Sequence, residues 1–178
     1  MLHPLRAAGL VALLTVVACS PTFNWREWPV PGTPLRALMP CKPESASRPV
    51  PMVGTPVELH MHACEAGGMR FAVAWTDVGR ADQVPAALAA WPLASLQTLR
   101  VTEASLDDPG LAWAVEVKGA SQVRGLRARG TDPQGRPVLT QAVYFARGTQ
   151  VFQAAVYGNR LDQGANEAFF AGLDLAAP

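Results

Sequence analysis

Two neighbouring stretches in the first half of the chain carry apolar residues at every second position. Residues 57–64 (VELHMHAC) place four apolar side chains on one face, and residues 69–76 (MRFAVAWT) repeat the pattern with Met, Phe, Val and Trp. A period of two indicates β-strands. Gly67 and Gly68 lie between the two stretches and permit a tight reversal. We therefore predict an antiparallel β-hairpin over this region.

Residues 82–103 have a helical pattern instead. The segment is rich in alanine, a strong helix former, and an apolar stripe runs along it. Asp82 is expected to accept hydrogen bonds from the free amides of the first turn, and Pro92 is expected to kink or split the helix. A second helix is predicted at 163–171, with Asp162 as its N-cap.

Shorter strands are predicted on both sides of these elements. Their order, with hairpins and few crossovers, favours an α+β fold in which an antiparallel β-sheet is flanked by helices. A turn at Pro43 and the polar residues after it separates the first two strand candidates, and a turn at 132–135 (DPQG) separates two later ones. The strand candidates are 35–39, the surroundings of Val50 and Met52, 111–117, 123–131, 138–147 and 150–157.

The first 18 residues have the layout of an export signal. Arg6 precedes an uncharged apolar run at 7–18, and polar residues from Ser20 onward end that run. A basic start followed by an apolar stretch of about 7–15 residues is typical of a secretory signal peptide, whereas a membrane span needs about 20 apolar residues. We predict that residues 1–18 are a signal peptide.

The end of this segment, Val16-Val17-Ala18-Cys19, resembles the lipobox of bacterial lipoproteins. The resemblance implies that the Cys19 thiol takes a diacylglycerol, that the signal is cut before Cys19 and that the new amine is acylated. More than one acyl chain holds a protein stably on a membrane. Ser20 follows the cysteine, which by the sorting habit of such lipoproteins implies the outer membrane, facing the periplasm. The alternative is an ordinary secretory signal with a chance cysteine near the cut.

The cysteine count agrees with this interpretation. Assigning Cys19 to lipid leaves Cys41 and Cys64, and the periplasm is an oxidising compartment. We therefore predict a disulfide between these two residues. Closing a loop of this length stabilises a fold by roughly 3 kcal/mol if chain entropy is the cause.

The mature chain divides into a short leading segment and one domain. Residues 19–34 are rich in proline and are interpreted as the lipidated N-terminus and a tether, and residues 35–178 as a single α+β domain. Trp25 and Trp28 lie within the tether. We expect at least one of them to pack on the domain edge, and the alternative is an aromatic pair that binds a partner.

Composition narrows the classes of function. The 178 residues are 49% hydrophobic and 16% charged, with a net charge of +1. The apolar share argues against disorder, and the charge balance argues against a basic nucleic-acid binder. The sequence has no nucleophile elbow and no phosphate-binding or dinucleotide glycine pattern. The carboxylate pair Asp107-Asp108 is interpreted as part of a solvated loop, so we expect neither an enzyme nor a cofactor.

The two histidines of the mature chain are the sharpest candidate for chemistry. His60 and His62 alternate with Glu58 and Cys64 along one strand face. Imidazole and thiolate groups suit copper or zinc, which makes a metal site at His60 and His62 the alternative hypothesis. A disulfide at Cys64 would remove the thiolate and leave a polar sheet face.

Arginines concentrate between 118 and 136. Arg124, Arg127, Arg129 and Arg136 lie there with Lys118, opposed by a single acidic residue, Asp132. Guanidinium groups suit carboxylates and phosphates, so this segment is a candidate patch for an anion or an acidic envelope partner. The alternative is a charged edge strand that resists pairing with another sheet.

Three further motifs stand out: the PCKP turn at 40–43, the CEAGG turn at 64–68 and a closing pattern of strand, turn, strand and helix at 144–148, 151–158 and 168–173. In these motifs the chain resembles small uncharacterised proteobacterial lipoproteins with a PsbP-like domain. The resemblance implies an α/β/α sandwich on an antiparallel sheet. It implies no catalytic residue, because proteins of that fold mostly bind or assemble with other molecules.

The sequence thus predicts a lipid-anchored periplasmic protein that binds or scaffolds another envelope component. Its expected partners are the membrane, through the N-terminal lipid, and an envelope protein, with no nucleic acid. Metal handling through His60 and His62 is the competing hypothesis.

Overall fold

The protein is described by a computed structural model that covers residues 21–101 and 109–175. Nine strands and two helices are formed within these ranges. The helices are α1 (Val84–Thr98), which follows a 3₁₀ turn at Ala81–Gln83, and α2 (Gln163–Ala171). The strands are β1 (Arg26–Pro29), β2 (Arg36–Met39), β3 (Glu44–Met52), β4 (Thr55–Ala66), β5 (Met69–Asp77), β6 (Ala112–Trp113), β7 (Gln122–Thr131), β8 (Pro137–Arg147) and β9 (Gln150–Gly158).

Seven of the strands form one antiparallel sheet, in the order β3-β4-β5-β9-β8-β7-β6. The predicted hairpin is confirmed as β4 and β5, in which His62 pairs with Val73. The chain then leaves the sheet and returns at the far side, so that β5 pairs with the last strand, β9. The α+β class with an antiparallel sheet is therefore confirmed.

Helix α1 covers one face of the sheet. Its buried side chains include Leu88, Trp91 and Leu96, and they pack against the small or aromatic residues that β8 and β9 present on this face. The ring of Trp91 meets the ring of Tyr144 edge-on, with centroids 6.2 Å apart. The large apolar area of the aromatic residues anchors the helix on the sheet.

Helix α2 and the β1–β2 pair cover the opposite face. The ring of Phe169 packs edge-on against Phe71 at 5.4 Å, and Phe170 packs against Trp113 at 5.1 Å. The helix begins where the sequence predicts, since the Asp162 carboxylate accepts a hydrogen bond of 2.7 Å from the amide of Ala165. The sheet thus lies between two helical layers.

The predicted disulfide is confirmed. Cys41 and Cys64 are bonded, with Cα atoms 5.9 Å apart. The bond joins the chain after β2 to strand β4, and therefore ties the layer that covers the sheet to the sheet itself.

Strand β3 is longer than predicted. Residues 45–47, which we interpreted as part of a turn, pair with β4, where Ser45 lies opposite His62. β3 is an edge strand and most of its residues are exposed. At an edge, polar side chains meet water, and prolines such as Pro49 and Pro51 are tolerated because one side of the strand needs no donor.

Helix α1 differs from the prediction in two respects. Asp82 does not cap it: the helix begins after Gln83, and the Asp82 carboxylate instead bonds the guanidinium of Arg80 at 2.6 and 3.0 Å. The helix is also not split at Pro92, which is buried in its interior. The cost of one missing amide donor is offset where tertiary packing holds the helix against the sheet.

Strand β6 is shorter than the strand predicted at 111–117. Only Ala112 and Trp113 pair with β7. Val117 instead turns into the core that α2 covers, and Leu175 donates its amide to the carbonyl of Lys118 at 2.8 Å. The backbone of Leu175, and not that of β7, therefore bonds the chain at Lys118.

Part of the predicted tether belongs to the folded body. Residues 26–29 form β1, and the rings of Phe23 and Trp25 pack edge-on against Phe71 at 6.3 and 6.0 Å. The expectation that a tryptophan of this segment packs on the domain is confirmed. The predicted signal peptide, Cys19 and the pair Asp107-Asp108 lie outside the described residues. Within the described residues, neither helix has the length and apolar character needed to cross a membrane.

Candidate functional site

The two histidines lie on the sheet face covered by α2 and the β1–β2 pair, but each has a different partner. The ring of His60 stacks on the indole of Trp75, with centroids 4.3 Å apart and planes 18° apart. His62 is only 6% exposed, and its Nδ1 lies 2.8 Å from the hydroxyl of Ser45. Burial, and secondarily the nearby His60, lower the pKa of His62. The neutral imidazole is therefore favoured.

The other members of the predicted metal set do not join the histidines. Cys64 is in the disulfide, and Glu58 is exposed on β4. In the part of the chain that the structure describes, no group of three or more His, Cys, Asp or Glu side chains is placed to hold a metal ion. The arrangement matches a packed polar strand face rather than a copper or zinc centre.

The four arginines of the predicted patch do not share one surface. Leu126 of β7 packs under α1, and alternate residues of a strand point to opposite faces. Arg124 therefore lies on the α1 face, whereas Arg127 and Arg129 lie on the other face. Arg136 lies in the turn after β7, where its guanidinium pairs with Asp132 at 2.7 Å.

A groove with a volume of about 440 Å³ lies between α1 and strands β3, β4, β5 and β9. This volume lies within the range of about 300–1,000 Å³ that small-molecule sites occupy. Two small side chains of α1, Ala90 and Ala94, leave room along one wall. Most of the lining is apolar and includes Val50, Met52, Leu59, Met61, Trp91 and Leu99.

A short hydrogen-bond network lies at the inner side of this groove. The Gln153 amide nitrogen donates to the Tyr144 hydroxyl at 2.9 Å and to the Ser95 hydroxyl at 3.1 Å. Ser95 in turn donates to the carbonyl of Trp91 at 3.0 Å. Burial raises the pKa of both Tyr144 and Tyr157, so both phenols are neutral at physiological pH.

The rim of the groove carries a single charge. Arg48, on the edge strand β3, is the one charged residue in the lining. Among the described residues, its guanidinium is in none of the ion pairs that the structure forms. The groove therefore has a mostly apolar lining and one cationic residue at its rim. The polar groups at its floor, Gln153, Tyr144 and Ser95, already hydrogen-bond to one another.

A second cleft, of about 640 Å³, lies beside α2 and β6. Its lining mixes acidic, basic and amide groups, and contains Arg127 of the predicted patch. Asn166 is 5% exposed and donates to Gln141 at 3.0 Å, while its Oδ1 has no partner among the described residues. This cleft is more polar than the groove under α1.

Sequence reasoning did not identify the groove. The alternation at 57–64 assigns Leu59 and Met61 to one strand face, but the position of α1 over that face depends on contacts between distant residues. No local pattern distinguishes Ala90 and Ala94, because the same helix also carries alanine at positions 86, 87 and 89.

Comparison with known proteins gives no relative for this chain. No family model, no curated protein and no solved structure matches it.

Proposed function

We propose that this chain is an outer-membrane lipoprotein that faces the periplasm and acts as a non-catalytic binding module through the groove under α1. The groove carries the proposal, because it joins a suitable volume and an apolar lining to a few placed polar groups. The layering of helices on both faces of an antiparallel sheet is consistent with the α/β/α sandwich of PsbP-like domains.

The first described residues, Thr22 and Phe23 among them, lie beside the β4–β5 turn. A Cβ atom added at Gly67 would come within 2.6 Å of the Phe23 ring and 3.5 Å of the Thr22 methyl group. Thr22 lies three positions after Cys19, and an extended chain of that length spans at most about 11 Å. A lipid on Cys19 would therefore hold the β4–β5 turn close to the membrane surface.

This attachment would leave the groove accessible from the periplasm. Val53, in the β3–β4 turn, lies at one end of the groove, and that turn is at the opposite end of β4 from Gly67. The 12 residues of β4 separate the two ends by roughly 40 Å. The binding site would thus open away from the bilayer.

Membrane attachment is tested by processing and fractionation. With wild type we expect an acylated Cys19 at the new N-terminus, membrane association, and accumulation of the unprocessed form with globomycin. With Cys19→Ala we expect the protein to leave the membrane fraction. An unmodified mature N-terminus, or unchanged membrane association of the variant, would contradict the anchor.

Binding in the groove is tested with a neutral apolar fluorophore, N-phenyl-1-naphthylamine, on the purified domain. We expect saturable fluorescence enhancement that Ala94→Phe reduces, because the larger side chain fills the groove. Ala89→Phe is the matched control, since Ala89 is exposed on the same helix and outside the lining. Equal fluorophore binding by wild type and Ala94→Phe would place the site elsewhere.

A further inference from the structure

We propose that the groove under α1 takes the apolar tail of a single-chain amphiphile whose anionic head group pairs with Arg48. This inference rests on the proposed function and adds the chemical class of the ligand. It follows from the shape and lining of the groove, from the hydrogen bonds that the polar groups at its floor already make, and from the charge at its rim.

The lining favours a flexible hydrocarbon tail over a polar ligand. Apolar side chains enter the groove from β3, β4 and α1, and two of them, Met52 and Met61, are methionines. The unbranched methionine side chain adapts to irregular apolar surfaces. Ala90 and Ala94 keep the helical wall open along its length.

The polar groups at the floor need no hydrogen bond from a ligand, because they already bond to one another. The two donor positions of the Gln153 amide are used by Tyr144 and Ser95, and the Ser95 hydroxyl donates to Trp91. A polar ligand would have to replace these bonds, whereas an apolar tail leaves them intact. Both tyrosines near the floor are neutral phenols, so the interior adds no charge.

The charge of Arg48 at the rim determines which sign of charge the head group of the ligand carries. Arg48 is exposed and is the one charged residue of the lining. Its guanidinium matches the geometry of a carboxylate or a phosphate. A cationic head group at this rim would meet a like charge with no acidic lining residue to compensate for it.

The test compares four amphiphiles with the same twelve-carbon alkyl tail, each below its micelle concentration or solubility limit: tridecanoate, dodecyl phosphate, dodecanol and dodecyltrimethylammonium. The affinity of each is measured by its displacement of N-phenyl-1-naphthylamine from the purified protein. We expect at least one anionic amphiphile to bind about 1.5- to 5-fold more tightly than dodecanol, the range for an exposed ion pair. The cationic amphiphile should bind most weakly. The tighter of the two anions identifies the head group as a carboxylate or a phosphate.

Two variants locate the effect. Arg48→Gln should bring the anionic amphiphiles to the affinity of dodecanol and leave dodecanol unchanged. Arg124→Gln is the matched control, because Arg124 is an exposed arginine on the same face of the sheet but outside the groove, and it should preserve the preference. Both positions are exposed, so both variants are expected to fold.

The outcomes separate this inference from the proposed function. If the fluorophore binds in the groove but dodecanol binds as tightly as both anions, or Arg48→Gln keeps the anionic preference, the ligand class is wrong and the binding module stands. If the fluorophore does not bind in the groove, the proposed function fails and the inference fails with it.

Discussion

Ser45 and His62 face each other across strands β3 and β4, with the serine Oγ 2.8 Å from the histidine Nδ1. The bond joins the exposed edge strand to a buried imidazole. Trp28 of the β1–β2 pair lies over the same ring, with centroids 6.4 Å apart. His62 therefore belongs to the packing between the sheet and the layer that covers it.

This environment predicts a stability that depends on pH. Burial, and then His60, lower the pKa of His62 in the folded state from its ordinary value of 6.5. As the pH falls through that value, the unfolded chain takes up a proton that the folded chain resists. The free energy of unfolding should therefore decrease between about pH 7 and pH 5, as urea unfolding at a series of pH values would show.

His62→Gln isolates this contribution, because glutamine keeps a polar group near Ser45 and does not titrate. We expect a weaker pH dependence for this variant than for wild type. His60→Gln should keep most of the pH dependence, because burial, the larger cause of the lowered pKa of His62, remains in that variant. An equal pH dependence in wild type and His62→Gln would show that His62 does not cause it.

The disulfide predicts sensitivity to reductant. Cys41 and Cys64 close a loop with a sequence separation of 23 residues, which restricts the unfolded chain. Reduction should lower the free energy of unfolding by about 3 kcal/mol, measured by urea unfolding with and without dithiothreitol. The double variant Cys41→Ala/Cys64→Ala should have the lower stability in both conditions. A wild type that unfolds identically in both would contradict the prediction.

The elements that the sequence predicts well are those specified by neighbouring residues. The β4–β5 hairpin follows from its alternation and from Gly67 and Gly68, and α2 follows from Asp162 at its start. The extent of β3 does not follow from neighbouring residues, because its polar residues form a strand only through pairing with β4. The pairing of β5 with β9 likewise joins distant segments.

The candidate sites show the same limit. Counting arginines along the sequence groups Arg124 with Arg127, whereas the period of a strand places them on opposite faces. The groove depends on where α1 settles on the sheet, which is fixed by long-range contacts such as Trp91 with Tyr144. A local pattern specifies which residues are apolar, but not the space that remains between two elements.

The cap of α2 predicts a measurable loss of stability. Asp162 accepts a hydrogen bond from the Ala165 amide at 2.7 Å, and without it that donor lacks its partner. Asp162→Ala should destabilise the fold by about 1 kcal/mol in urea unfolding. Asp162→Asn is the control, because asparagine caps helices about as well as aspartate. Equal losses in both variants would show that the carboxylate acts by some means other than capping.

Alanine substitutions at two glycines should have opposite effects on stability, because one glycine lies against the backbone of β6 and the other has open space in α2. A Cβ atom at Gly125 would overlap the carbonyl oxygen of Trp113, whereas a Cβ atom at Gly164, in the first turn of α2, would have its nearest neighbour at 3.6 Å. Gly125→Ala should destabilise the fold by about 1–3 kcal/mol because backbone must move. Gly164→Ala should stabilise it by about 0.5–1 kcal/mol, since alanine favours the helix. Thermal unfolding of the two variants beside wild type measures both effects, and a Gly125→Ala variant as stable as wild type would mean that β6 is free to shift.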